Sequence, residues 1–429
     1  MHSKTKLLKE SKEILKGHKK MMKPEYIEPS RIINDDAVLK VFKAAQNYGG
    51  ALRFVGGAVR DSLAGLKGFE IDLATDLTPD ELVEACNENG LKTVSLGLKF
   101  AKTGVVVGNK IFEVSSLHKS VKASDKDSDL SFTDDWNADA STRDLTINAV
   151  YADENGNVFD YYNGINDLEK GIVRFIGSAD QKIKEQPIRI LRFFRFFSIF
   201  SKTDPDLKAL KACVENRELL KTVSVEAIRD EFLKILMSKN ASVVIKIMNE
   251  NDILSFLLPE KCNIEHLENL EILISSNRIE ADEVRRLFVL FDPDPVVAES
   301  LAKRLRLNKM QKARLINLSK FAFNSYLFND LKYIRRVIYS HGKDFVKDKI
   351  LITLAQSDRV QAKIKTLFNE IDAMEVPNFP LNGKDLVEIG MQNCMPVKEI
   401  IGSLKNLWIE SDFEMSLDDL KQKAKLMIK

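Results

Sequence analysis

The chain is 429 residues long, 44% hydrophobic and 30% charged, with a net charge of +2. That length implies about two to four domains rather than one core. No apolar run approaches the ~20 residues that cross a bilayer, which excludes a membrane partner and sets the expectation of a cytoplasmic protein. The four cysteines (Cys86, Cys213, Cys262, Cys394) form no CxxC pair and the five histidines are scattered, so a zinc site or a disulfide framework is not expected.

Charge is placed unevenly. Residues 1–24 carry 8 Lys against 2 Glu, and residues 301–350 carry 13 Lys/Arg against 3 Asp/Glu. Such separation fits a polyanion-binding face and fits solvated helix faces equally well. Residues 1–30 lack an apolar period and read as a basic N-terminal arm. From there strands and helices alternate. Arg53–Val59 reads as a strand running into a Gly-Gly turn and a helix, and Glu70–Ala74 as a second strand. Thr78-Pro79-Asp80-Glu81 has the cap, proline and acidic first turn of a helix start. Val105–Val107 and Ile111–Val114 form a hairpin across Gly108-Asn109. Residues 118–135 are polar and read as a loop. Thr146–Ala152 and Val158–Tyr161 form a second hairpin. Ile183–Phe200 then reads as one long apolar and basic helix, and helical periodicity continues to residue 429 with breaks near Asp204-Pro205, Pro259, Asp292–Pro295 and Pro377–Pro380. The outcome is an N-terminal α/β head followed by an all-helical remainder.

The head carries the chemistry. In Glu70-Ile71-Asp72 the carboxylates are two residues apart, and on a strand such residues share a face. Two carboxylates so placed repel unless a cation lies between them, and Mg²⁺ with phosphate oxygens is the usual partner. By itself the spacing marks surface charge as readily. Ten residues earlier, Phe54-Val55-Gly56-Gly57-Ala58-Val59-Arg60-Asp61 sets two glycines at a strand end before a helix. Backbone N–H groups there can approach phosphate, with Arg60 adding charge. Together the two segments have the arrangement of metal-dependent nucleotidyl transfer. The spacing is wrong for a P-loop, and no GxGxxG is present.

The string GGAVRD…EIDLATDLTPDEL resembles the first motif of the class II tRNA nucleotidyltransferase and bacterial poly(A) polymerase family, alphaproteobacterial type. Further blocks follow in family order. Asp139–Ala149 is similar to the ribose-recognition motif, Asp160–Leu168 to the hinge motif, Glu185–Arg192 to the nucleotide-selecting helix and Arg229–Leu236 to the helix that buttresses it. FPLNGKDLVEIGM resembles a family tail segment. The resemblance covers roughly residues 45–415 and implies an α+β fold: an N-terminal nucleotidyltransferase (palm-like) mixed-sheet head over 31–152, a neck over 153–240, and a helical, RNA-binding body and tail over 241–429.

The implied activity is addition of C, C and A to the tRNA 3′ end from CTP and ATP, with tRNA as partner and no obligate protein partner. The cofactor would be Mg²⁺, held by Glu70 and Asp72, activating the RNA 3′-hydroxyl for attack on the α-phosphate. Glu113 is either a third catalytic carboxylate or a strand-edge charge. Gly56, Gly57, Arg60, Arg143, Asp144 and Asn148 would hold ribose and triphosphate, with Gln186, Arg189 and Arg192 on the selecting helix. Cytosine and adenine both offer an amino donor beside a ring acceptor, so an acceptor and a donor three residues apart on a helix face would take both and reject U and G. The family usually has Asp at positions 70 and 186 and Arg at 142, where this chain has Glu70, Gln186 and Thr142, and Gly97–Gly104 departs from the usual Gly-Thr turn. A neutral Gln186 predicts weaker rejection of UTP and GTP. Poly(A) addition and a catalytically inactive RNA-binding protein are the alternatives. Lys303, Arg304, Arg306, Lys309, Lys312 and Arg314 are the candidate RNA phosphate contacts. Trp136 and Trp408 are expected to pack rather than stack on bases.

Overall fold

The computed structural model describes residues 26–33, 35–66, 70–96, 102–119, 131–258, 261–324, 326–327, 329–357, 364–390 and 397–428. The chain divides into two units, Met1–Ser224 with Asn251–Phe256 and Val225–Glu250 with Leu257–Lys429. Most of the basic arm and of the polar loop over 118–135, the Gly97–Gly104 segment up to residue 101, Pro259 and Cys394 lie outside the described residues.

The first unit opens, after a one-turn helix at Pro29–Ile32, with α1 (Ala37–Asn47), β1 (Leu52–Val55), α2 (Gly57–Leu63), β2 (Asp72–Thr75) and α3 (Pro79–Glu88). Then come β3 (Lys92–Ser95), β4 (Lys102–Val107), β5 (Lys110–Ser116), β6 (His118–Lys119) and β7 (Ser131–Phe132). After α4 (Trp136–Thr142) and a 3₁₀ turn at Thr146–Asn148 follow β8 (Val150–Ala152) and β9 (Val158–Asp160). Seven strands make one sheet in the order β3-β4-β5-β2-β1-β8-β9. Its neighbouring pairs are antiparallel except β2 with β5. β6 and β7 form a separate ribbon at the two ends of the polar loop.

Strand alternation decides what each face of the sheet does. Phe54, Leu73, Val105, Val107, Phe112, Val114, Val150 and Ala152 turn to one face and pack with Val38, Val41 and Phe42 of α1 and Leu82, Ala85 and Cys86 of α3. Each large side chain buried there contributes about 1.5–3 kcal/mol. The residues between them take the other face, where Val55, Ala74 and Tyr151 pack with Leu117, Trp136, Ala140 and Ile176. Asp72, Gly104 and Glu113 share the parity of that second face. The start of α3 is as the sequence predicts: Thr78 and Glu81 form a reciprocal capping box with Pro79 in the first turn. Trp136 and Trp408 are both buried. Tyr26 pairs with Asn157 and buried Ile27 donates its N–H to Gly156 O, so these two residues already belong to the head.

Three expectations need correction. The second strand begins at Asp72, not Glu70, because β1 leaves the sheet at the Gly56 turn and residues 70 and 71 find no partner there. Thr146–Asn148 is a 3₁₀ turn rather than strand; Gly164 packs so closely on it that a Cβ there would stand 2.1 Å from Thr146 O. Third, the long helix over 183–200 is two helices. After α5 (Gly164–Lys170) come α6 (Ala179–Glu185) and α7 (Arg189–Phe200), separated at Gln186-Pro187-Ile188. Proline has no N–H to donate and drives the residue before it out of the α region, and Gln186 accordingly takes an extended conformation at φ −145°, ψ 95°.

In the second unit α8 (Val225–Leu236), α9 (Ala241–Glu250), α10 (Ile264–Asn277), α11 (Glu283–Phe291), α12 (Pro295–Arg304), α13 (Lys309–Lys320), α14 (Leu331–His341) and α15 (Lys343–Ala355) pack through apolar stripes. A C-terminal group of α16 (Gly383–Glu388), α17 (Val397–Glu410) and α18 (Leu417–Ile428) closes over Leu386, Leu404, Trp408 and Leu420.

Candidate active site

The open face of the sheet brings acidic groups together. β2 and β5 run parallel with Asp72 opposite Glu113, so the two carboxylates stand on adjacent strands with the same parity. Burial raises the pKa of Asp72, Glu113 raises it further, and Glu70 adds in the same direction, against Lys102 and Arg143. Glu113 is paired with Lys102 at the start of β4. Among the described residues no three His, Cys, Asp or Glu side chains converge as a ready-made metal cage. The donors present are carboxylate oxygens with excess negative charge, which is the chemistry that a hard divalent cation takes.

Beside them the backbone turns sharply. Gly56 has φ 63° and ψ −119°, a conformation open to glycine alone. Two arginines stand at contact distance from the turn: Arg143 Nη1 would be 3.8 Å from a Cβ at Gly56, and Arg60 Nη2 3.7 Å from one at Gly57. Arg143 is aimed by two partners: its Nε donates to Tyr151 Oη at 3.0 Å and its Nη2 to Asp139 Oδ2 at 3.2 Å. Tyr151 donates in turn to Asp139 at 2.7 Å.

A chain of hydrogen bonds ties the turn to α7. Arg60 Nη1 donates to Asn148 Oδ1 at 2.6 Å, Asn148 Nδ2 to Asp144 Oδ1 at 3.0 Å, and Arg192 Nε to Asp144 Oδ2 at 2.6 Å. Burial alone would push the Asp144 pKa up, but Arg192, Asn148 and the Leu145 N–H outweigh it and hold the carboxyl far below its usual range. Asp144 is therefore an anion inside the protein, matched by Arg192. The arginines continue around α7: the guanidinium groups of Arg60 and Arg195 lie 4.6 and 4.3 Å from the centre of the Phe196 ring.

Gln186 and Arg189 do not share a helix face, since the Pro187 break lies between them. Gln186 is exposed at the end of α6. Arg189, buried at the start of α7, donates to Lys182 O at 3.0 Å, Glu185 Oε2 at 2.8 Å and Thr142 O at 3.0 Å. It thus staples the break and the end of α4 into one piece, and its donors face the protein.

Comparison with known proteins joins this geometry to a family. Residues 52–174 match the poly A polymerase head domain, and residues 204–264 match the module described as a probable RNA and SrmB-binding site of polymerase A. The human mitochondrial CCA tRNA nucleotidyltransferase 1 is 30% identical over 392 residues, covering 86% of this chain and 85% of the relative. The chain belongs to the CCA tRNA nucleotidyltransferase family. The CCA-adding enzyme of Lactobacillus johnsonii is 26% identical over 366 residues, 84% of each chain. In fold the chain is similar to the Bacillus stearothermophilus CCA-adding enzyme in complex with CTP, with a TM-score of 0.72 at 21% identity over 91% of this chain and 97% of that one. It is also similar to the Thermotoga maritima CCA-adding enzyme complexed with tRNA, with a TM-score of 0.64 at 20% identity over 94% and 99%.

The six basic residues proposed as RNA phosphate contacts lie in the second unit, where their surroundings differ. Arg314 donates to Asp282 at 2.7 Å and to Asp348 at 2.8 Å, beside the buried Arg285–Asp348 pair. Two carboxylates hold its guanidinium, which leaves it less free to meet a phosphate than its basic neighbours. Arg306 pairs with Glu226 and Lys312 lies 3.6 Å from Glu299, both near solvent. Lys303 near the end of α12 and Lys309 at the start of α13 are exposed, and Arg304 is half-buried beside them. Lys102, Asp139 and Tyr151 are further residues of this site, beyond those that the sequence motifs single out. Asp139 lies in the quoted ribose motif, so its place was legible, whereas Lys102 and Tyr151 reach the site through strand pairing alone.

Proposed function

We propose that this chain adds C, C and A to the 3′ end of tRNA, taking CTP and ATP and releasing pyrophosphate. Its kinship to the CCA tRNA nucleotidyltransferases supports this reading, as do the CTP, ATP and tRNA complexes of proteins with its fold. The observation that carries it is the parallel register of Asp72 and Glu113 on the open face of the sheet, next to the Gly56 turn. We assign the cation that relieves this crowding as Mg²⁺: Asp72 and Glu113, with Glu70, would hold it, and when bound it would supply Lewis-acid activation of the attacking hydroxyl and neutralise charge on the phosphates. Around it Gly56 and Gly57 let the triphosphate approach the backbone, and Arg143, held by Tyr151 and Asp139, gives it a fixed positive partner. Asp144, Asn148 and Arg192 hold the ribose side. The Gln186 amide oxygen is the acceptor for the amino group of C or A, and Arg189 positions it. No described helix is long and apolar enough to cross a membrane, and we place the activity in the cytoplasm.

The test is to incubate the full chain with Mg²⁺ and tRNA transcripts ending before CCA, after C and after CC, with CTP, ATP or both. The reading expects extension that stops at the final A. A long A tract on any RNA end would instead make this a poly(A) polymerase, and no extension at all would leave an inactive RNA-binding protein.

A further inference from the structure

The ammonium of Lys102 has no part in the reaction described above, yet it lies among the acidic groups that the reaction needs. β4 and β5 pair with Gly104 opposite Glu113 and Lys102 opposite Ser115. Lys102 and Gly104 have the same parity, so the lysine rises diagonally across from Glu113 on the open face. No side chain at 104 intervenes: a Cβ there would already clash with Val94 and Ile111 at 2.7 and 2.9 Å. The Lys102 Nζ lies on Glu113 Oε1, and its charge also acts on Asp72. The pair is part open to solvent, with side-chain exposures of 39% and 36%, so it is a weak latch that can exchange partners.

We propose that Lys102 is a resident countercharge that competes with the divalent cation for Glu113 and so sets the metal affinity of the site. Without metal it neutralises part of the like-charge repulsion between Asp72 and Glu113, keeping the open face intact. Metal entry requires the ammonium to leave Glu113, and the cation's own charge then repels it. The residue is a positioning residue of the cation site. The inference rests on the metal seat proposed for Asp72 and Glu113.

The experiment measures Mn²⁺ binding to the full chain, without nucleotide, by the loss of the free-ion EPR signal. Four proteins are compared: wild type, Lys102→Met, Lys102→Arg and Asp72→Asn. Removing one partly screened charge beside a divalent ion gives an expected tightening of about three- to ten-fold for Lys102→Met. Lys102→Arg keeps the charge and stays within about two-fold of wild type. Asp72→Asn loses the site and tests the seat itself. If Asp72→Asn binds Mn²⁺ as wild type does, the seat is misplaced. If Asp72→Asn loses binding but Lys102→Met matches wild type or binds more weakly, the seat stands and the countercharge role of Lys102 is overturned. Unfolding curves for each variant identify any that fail to fold, in which case Lys102→Gln replaces Lys102→Met with the same expectation.

Discussion

Replacing Arg192 by Met tests whether the ion pair with Asp144 binds α7 to the segment that follows α4. The carboxylate is nearly buried and the arginine about one-third exposed, with side-chain exposures of 6% and 36%. Removing one member of a fully buried pair costs about 3–5 kcal/mol, because the other charge is left uncompensated. Here Asp144 keeps hydrogen bonds from Asn148 and from its neighbour's N–H at Leu145, and Arg192 already has partial access to water. Both reduce the loss, to about 2 kcal/mol. The assay is urea unfolding at pH 7 in a Trp408→Phe background, where Trp136 is the remaining tryptophan and reports the first unit. The pH dependence has a definite sign. The folded Asp144 pKa is depressed, so its contribution is complete above the unfolded value of about 3.9 and is lost as pH falls through the folded value. The gap between wild type and Arg192→Met therefore stays constant from about pH 7 to 5 and narrows in stronger acid. The Asp144→Asn/Arg192→Met double variant should lose clearly less than the two single losses together. A single-variant loss below about 0.5 kcal/mol, or strict additivity in the double, would refute the reasoning.

Gly56→Ala puts a Cβ on a residue at φ 63°, ψ −119°. It should cost about 1–3 kcal/mol and weaken CTP binding, measured by unfolding and by equilibrium titration. Gln186→Asp replaces a neutral acceptor by an anionic one that cannot donate, so the ratio of CTP to UTP incorporation should rise; an unchanged ratio would remove Gln186 from base selection. Arg314→Ala should destabilise the second unit by about 2–3 kcal/mol while leaving the salt dependence of tRNA binding unchanged. Lys309→Ala should do the reverse, lowering the log–log salt slope by about 1 at constant stability, as measured by filter binding between low and physiological salt.

Local chemistry was legible where neighbours in sequence are neighbours in space. Gly108-Asn109 announced the β4–β5 hairpin, Thr78 and Glu81 announced the start of α3, and the Gly56-Gly57 turn pointed to Asp72. Glu113 could be named but not placed, since its pairing with Asp72 depends on a parallel contact between distant strands. Arg314 looked like its basic neighbours because its carboxylates come from two other places, Asp282 ahead of α11 and Asp348 in α15. The Pro187 break was written in the sequence, and the apolar run of Ile190, Leu191, Phe193 and Phe194 concealed it. The 3₁₀ turn at Thr146–Asn148 lies close against Gly164, a contact between distant residues that no local pattern reveals.

The parallel contact between β2 and β5 also orders events in time. β2 meets β5 only after the chain has passed through α3 and folded back along β3 and β4. A ribosome that has released the chain as far as Thr75 has delivered Asp72 and the glycine turn, but not the carboxylate opposite. Arg143, Asp144 and Arg192 arrive later still. Long-range parallel pairing is slow, so the two carboxylates can face each other only after β5 has been made and docked beside β2.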